Sequence, residues 1–202
     1  MAVIPGLEGL DVSIRVNSLA VAEHSTSSRP NAVTTYILAA APHTEFEVFL
    51  SITSEYKFDC PTLGFDIFVD GVKLAAKCCL QSKRGWVKEW VRLVQGAEMG
   101  ELDAGRGEVR PFMFGKMGEG EIRVEVHRRD RGQRVDMDNV PEPEAGVGFR
   151  LGLPRPMAEP VSFWYAPLLN AAAEPLAIFK FVYGSDGGKF DDVVSRRHMF
   201  NF

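Results

Sequence analysis

Apolar and polar residues alternate with a period of two along most of this chain, and that period belongs to strands with one buried face. Val12, Ile14 and Val16 interleave with Asp11, Ser13 and Arg15. Phe46, Val48, Leu50 and Ile52 interleave with Glu45, Glu47 and Ser51. Ile122, Val124 and Val126 interleave with Arg123, Glu125 and His127, and Phe179, Phe181 and Tyr183 with Ile178, Lys180 and Val182. Wound into helices, these runs would scatter their apolar side chains around the axis; as strands they gather them on one side. Residues 33–38, rich in β-branched side chains and Tyr, read as a further strand.

Turn chemistry supports this reading. Asp70-Gly71 lies between two strand-like runs, 65–69 and 72–76, and fits the two-residue turn that needs positive φ at both central positions. Residues 86–94 suit either period, but their β-branched and aromatic content favours a strand. Residues 25–31 and the Gly- and acid-rich stretch 96–107 read as loops. Val109 to Met113 reads as a strand whose Pro111 favours an edge or a strand start. Five prolines and three glycines make 136–160 an excursion expected to lack regular structure. Residues 191–201, acidic first and basic last, suit a short terminal helix. About eight strands separated by turns predict an all-β fold: a single antiparallel β-sandwich, jelly-roll-like, with a Pro-rich insertion and a short C-terminal helix. Residues 1–202 read as one domain, with core strands over about 6–130, the excursion at 136–160, and a returning strand with the helix in 161–202.

Composition narrows the function classes. The net charge of −4 leaves no global basic field, so nucleic acid is not an expected partner. No run is long and apolar enough for a membrane-spanning helix. Cys60, Cys78 and Cys79 are odd in number and include an adjacent pair, which disfavours a disulfide scaffold. The opening residues lack the basic start of a signal peptide, and the expected location is cytoplasmic or nuclear.

The chemistry-bearing residues form no recognised constellation. His24, His43, His127 and His198 lack the paired spacing of a metal site, and read as solvated surface residues. Cys78 and Cys79 should point to opposite sides of a strand, one towards the core. No nucleophile elbow and no phosphate loop occurs. No catalytic residue, metal or cofactor is therefore expected. Two features suit binding. Trp86, Lys88, Trp90 and Arg92 would share one strand face, where Trp and Arg could anchor a partner or stack a ligand; the favoured alternative is that the tryptophans pack under the Pro-rich excursion while the cations reach outward. Arg128, Arg129 and Arg131 lie in an arginine run whose forked donors suit phosphate or carboxylate.

Several phrases, in order, resemble a domain family of unknown function found in intracellular proteins of filamentous fungi and mushrooms. They are Gly9-Leu10-Asp11-Val12, Val33-Thr34-Thr35-Tyr36-Ile37 and Phe65-Asp66-Ile67-Phe68-Val69-Asp70-Gly71. Arg110-Pro111-Phe112-Met113-Phe114, Gly120-Glu121-Ile122-Arg123-Val124-Glu125-Val126 and Phe179-Lys180-Phe181-Val182-Tyr183-Gly184-Ser185 follow. The resemblance implies an all-β domain, a fungal source and an intracellular setting, and carries over no catalytic residue. The expected function is a non-catalytic interaction module that binds a protein partner or self-associates. The alternative is a lectin-like sandwich that binds a small ligand or carbohydrate; an enzyme ranks third.

Overall fold

In the computed structural model the alternating runs become strands, and no helix occurs among the described residues. Those residues are 4–38, 41–81, 89–101, 106–115, 120–131, 133–134, 149–153, 155–156, 164–170 and 174–184. The first sheet runs β2 (Leu19–Ala20), β1 (Leu10–Val16), β5 (Glu45–Thr53), β10 (Arg106–Phe114), β13 (Phe149–Leu151). Beside that path, β8 (Glu89–Val94) pairs with β5, while β9 (Gly96–Glu101) and β14 (Arg155–Pro156) pair with β10. The second sheet runs β3 (Glu23–Arg29), β4 (Ala32–Leu38), β16 (Ala177–Gly184), β11 (Gly120–Arg129), β6 (Thr62–Val69), β7 (Val72–Leu80). A small ribbon joins β12 (Gln133–Arg134) to β15 (Trp164–Tyr165).

The period-2 faces meet in one core. Leu10, Val12 and Ile14, with Phe46, Val48, Leu50 and Ile52, are buried from the first sheet. Leu63, Phe65, Ile67 and Val69, with Ile122, Val124, Val126, Phe179 and Phe181, are buried from the second. Two aromatic contacts span the sheets: Phe65 stacks on Trp90 at 5.3 Å, and Phe114 meets Tyr183 edge-on at 5.2 Å. Such pairs contribute about 0.5–1.5 kcal/mol each beyond their burial. The arrangement is sandwich-like rather than a closed barrel, because each sheet keeps its own end strands.

The Asp70-Gly71 turn joins β6 to β7 as its residue types demand, with φ of 49° and 83°. A second turn of the same kind joins β1 to β2 at Asn17-Ser18, with φ of 51° and 64°, and had no Gly to signal it. Asp70 also ties the hairpin to its neighbours: its carboxylate accepts from the Glu121 N–H at 2.8 Å and the Tyr183 hydroxyl at 3.2 Å.

Several expectations need correction. The wholly antiparallel jelly roll is broken where β16 lies parallel to β4; the two are far apart in sequence, so no tight turn dictates their direction. Residues 25–31 are not a loop: β3 occupies most of them, its polar composition fitting an end strand. Within 96–107, residues 96–101 and 106–107 are strand and not loop, since β9 pairs along β10; 102–105 lie outside the described residues. Pro111 sits inside the sheet, with Gly96 opposite it and its carbonyl accepting from the Gly152 N–H at 2.7 Å. The Pro-rich stretch is not structureless, because β13 and β14 dock on β10. Arg155 holds β14 down through a two-pronged ion pair with Glu45. The terminal helix expected at 191–201 lies outside the described residues.

Candidate functional site

Along β11 the inward Ile122, Val124 and Val126 force Arg123, Glu125, His127 and Arg129 onto the outer face. The register sets Glu125 opposite Asp66 of β6, and like charges in that position repel. Basic neighbours offset the repulsion. Arg129 Nη2 donates to Asp66 Oδ2 at 2.9 Å, and Lys73 Nζ of β7 lies 3.0 Å from Oδ1. His127 Nε2 lies 3.4 Å from Glu125 Oε2 and 3.9 Å from Asp66 Oδ2, while Arg123 Nε lies 3.0 Å from the other oxygen of Glu125. Asp66, only 7% exposed, therefore keeps its charge company within a largely desolvated cluster.

The cluster exists because residue 64 is glycine. A Cβ there would fall 2.0 Å from Arg129 Nε and 2.4 Å from its Cδ, so the arginine lies directly across the bare backbone of β6. From that track it also donates to the Ala166 carbonyl at 2.9 Å, fastening the segment that follows β15. The backbone continues the join: the Asp130 N–H donates to Pro167 O and the Leu169 N–H to Arg128 O.

The thiols are set against nucleophilic chemistry. Burial pushes Cys79 up to about 12, and burial also raises Cys60 and Cys78, the latter despite Arg129 nearby. A thiol held protonated near neutrality is a poor nucleophile. Cys79 is buried and Cys78 half-buried, as their alternation in β7 requires. Among the described residues no three His, Cys, Asp or Glu side chains are grouped to hold a metal.

The structure places the described members of the two sequence features as follows. Trp86 and Lys88 lie outside the described residues. Trp90 is turned inward onto Phe65, so the proposed Trp–cation stripe is not an outward platform at this position. Arg92 shares the inner side at the rim, with Cζ 5.7 Å from the Trp90 ring. Arg128 is held by Asp59, at 2.7 Å from Nη2 and 2.8 Å from Nε, which keeps Asp59 below the usual carboxylate range. Arg129 is committed to Asp66 and Ala166, and Arg131 is exposed beyond the strand end. The arginine run thus divides into two internal ion pairs and one outward cation. Sequence reasoning missed the Asp66 cluster and read His127 as solvated, although its side chain is 12% exposed. The signal that could have found it was a lone Gly inside a strand, next to a strand with four charged or basic residues on one face.

The strand edges differ in a way that matters for association. An unpaired edge presents N–H and C=O groups to any strand that approaches, and proteins blunt edges with lysines, bulges or short strands. β7 carries Lys73 and Lys77 and a bulge between Ile67 and Phe68 of its partner; β3 has a bulge at His24/Thr26; β2 has two residues. β8 has one strand partner among the described residues, β5, and its six residues contain no lysine, proline or bulge. Its outer face shows Val91 and Leu93, 37% and 38% exposed, beside Phe49 of β5. Phe49 is itself capped by Arg15, whose Cζ lies 3.5 Å above the ring.

Comparison with curated proteins and with solved structures gives no match. Comparison with protein families gives one: residues 9–119, more than half of the chain, match a domain of unknown function, DUF7918. The match starts at the head of β1 and stops before β11, so it takes in the whole of β1 to β10. By that match, the chain belongs to the DUF7918 family.

Proposed function

We propose that this chain is a non-catalytic interaction module, and that it binds a protein through the edge of β8 that has no strand partner among the described residues. The observation that carries the reading is the contrast between edges: β7, β3 and β2 have lysines, a bulge or a short length, whereas β8 offers a six-residue run without lysine, proline or bulge and with two exposed apolar side chains, its Val91 carbonyl covered by the side chain of the exposed Arg92 at 3.2 Å. Strand addition is a common mode of protein recognition, with main-chain bonds giving affinity and alternate side chains giving specificity. The Asp66 cluster suits this role as a support, because its carboxylate is paired with Arg129 and Lys73 of the same sheet. The lectin-like alternative is weaker, since Trp90 spends its ring on Phe65 instead of offering it to a sugar. Three cysteines without a disulfide support an intracellular setting, cytoplasmic or nuclear, and the family resemblance supports a fungal source.

The test is affinity capture from an extract of the source cells, with the wild-type chain and a Val91→Lys/Leu93→Lys variant side by side. The expected result is loss of specific partners, or of captured copies of the chain itself, in the variant. An unchanged set of captured proteins overturns the β8 assignment.

A further inference from the structure

We infer that the β10 edge covered by residues 149–156 is a strand-receiving site for a second protein, and that those residues plug it in cis. The partner it fits is an extended segment with an apolar residue followed by Gly and, three places on, Arg. This surface is separate from the β8 edge and stands without it. β10 pairs with β9 and β5 along one edge and with β13 and β14 along the other. The edge lies inside the family match, and residues 149–156 lie outside it.

The cover is short and interrupted. Phe149, Arg150 and Leu151 oppose Phe114, Met113 and Phe112, while Arg155 and Pro156 oppose Val109 and Glu108. Between these pairs three residues, 152–154, stand against two, Arg110 and Pro111, and Leu153 is 85% exposed. Three contacts hold the plug, and they specify what the edge accepts. Leu151 packs against the core and pairs with Phe112. The Gly152 N–H donates to Pro111 O at 2.7 Å, and a Cβ on Gly152 would lie 3.2 Å from both Met113 Sδ and Pro111 Cδ, which leaves little room for a side chain. Arg155 pairs with Glu45, but the two side chains are 59% and 42% exposed, where an ion pair adds little. A partner with the same pattern that runs on opposite Gly107 and Arg106 gains main-chain bonds that the plug lacks among the described residues. A tethered segment competes at an effective concentration on the order of millimolar, so the plug closes the site to weak ligands and yields to a strand that fits better.

The test titrates a labelled peptide with the sequence of residues 147–158 with the full chain, read by fluorescence anisotropy. Wild type is compared with a Leu151→Asp/Arg155→Glu chain, whose plug is disabled. The disabled chain is expected to bind the peptide at least about tenfold more tightly than wild type, where the tethered plug competes. Adding Glu45→Arg to the disabled chain is expected to transfer the preference to a peptide carrying Arg155→Glu, because the charges across the pair are exchanged. Equal binding by wild type and disabled chain overturns the inference, as does no binding by a disabled chain that still shows a cooperative urea transition. A preference that Glu45→Arg leaves unchanged also overturns it. A wild type that light scattering shows to be a dimer without peptide, and that becomes monomeric when disabled, makes the occupant the plug of a second copy and overturns the assignment to a different protein. If the disabled chain does not fold, hydrogen exchange in wild type decides. The Gly152 amide is expected to exchange at least about 100-fold faster than the amides between β1 and β5; equal protection shows that the plug leaves only with the whole fold, and overturns the inference.

Discussion

Replacing Gly64 by Ala should destabilise the fold through an arginine on another strand. The added Cβ would stand 2.0 Å from Arg129 Nε, and the guanidinium would have to leave its track. Two charge-assisted hydrogen bonds go with it, to Asp66 Oδ2 at 2.9 Å and to the Ala166 carbonyl at 2.9 Å. Each such bond contributes about 1.5–3 kcal/mol, and stripping a partner from a buried charge costs about 3–5 kcal/mol. Lys73 remains beside Asp66 and softens the loss, so the net cost of Gly64→Ala should be about 2–4 kcal/mol. Arg129→Ala should cost a similar amount. The two must not add. The three atoms nearest the added Cβ all belong to Arg129, so once it is gone Gly64→Ala should be neutral or stabilising by about 0.5 kcal/mol, since Gly is the poorer strand residue. Urea unfolding followed by tryptophan fluorescence measures all four corners of the cycle, with each single change moving the midpoint by about 1 M. Additive effects of the two substitutions would refute the claim that Gly64 serves the arginine.

Three further outcomes are expected. Thr35 of β4 is fully buried on the core side, and its hydroxyl has no hydrogen-bond partner among the described residues; Thr35→Val should therefore raise stability by about 1 kcal/mol, seen as a melting temperature about 2–4 °C higher. Alkaline stability should fall early: Cys79 keeps its proton in the fold up to about 12 while the unfolded thiol loses it near about 8.5, so its contribution is complete below that pH and is lost as pH rises towards 12. Unfolding curves at pH 8 and 10 should show this slope reduced in Cys79→Ala; an equal slope in both proteins would contradict it. A fragment ending at residue 119 spans the family match but lacks β11 and β16, the strands that link β4 to β6, and should show no cooperative urea transition.

The strands with an apolar face were legible because burial wrote their period directly into the sequence, as at Phe46 to Ile52 and Ile122 to Val126. The Asp70-Gly71 turn was legible because few residue pairs accept its backbone angles. β3 was not, since its Glu, His, Ser and Arg give an end strand no apolar face to report. β9 was hidden by its glycines and acids, which leave no apolar alternation in the sequence. At β8 the alternation divided the side chains correctly, Trp90 and Arg92 on one side and Val91 and Leu93 on the other, but only the contact with Phe65 shows that the Trp90 side is the inner one. The Asp66 cluster was out of reach for a different reason. Arg129 and Asp66 are 63 residues apart, and only the β6–β11 register brings them together.

The insertion of β16 between β4 and β11 has a bearing on how the chain is made. During synthesis β3–β4 and β6–β7 emerge early, each able to form its own ribbon, yet neither can find its neighbour in the finished sheet. β11 extends one ribbon, and residues 177–184 then have to enter between two edges formed long before. Until they do, β4 and β11 each display an open row of amides and carbonyls, and the aromatic side chains of Phe179 and Phe181 are missing from the core. The nascent chain thus passes through a long interval with two sticky edges, in which chaperone protection or slow elongation over the last strands would decide how much product is recovered.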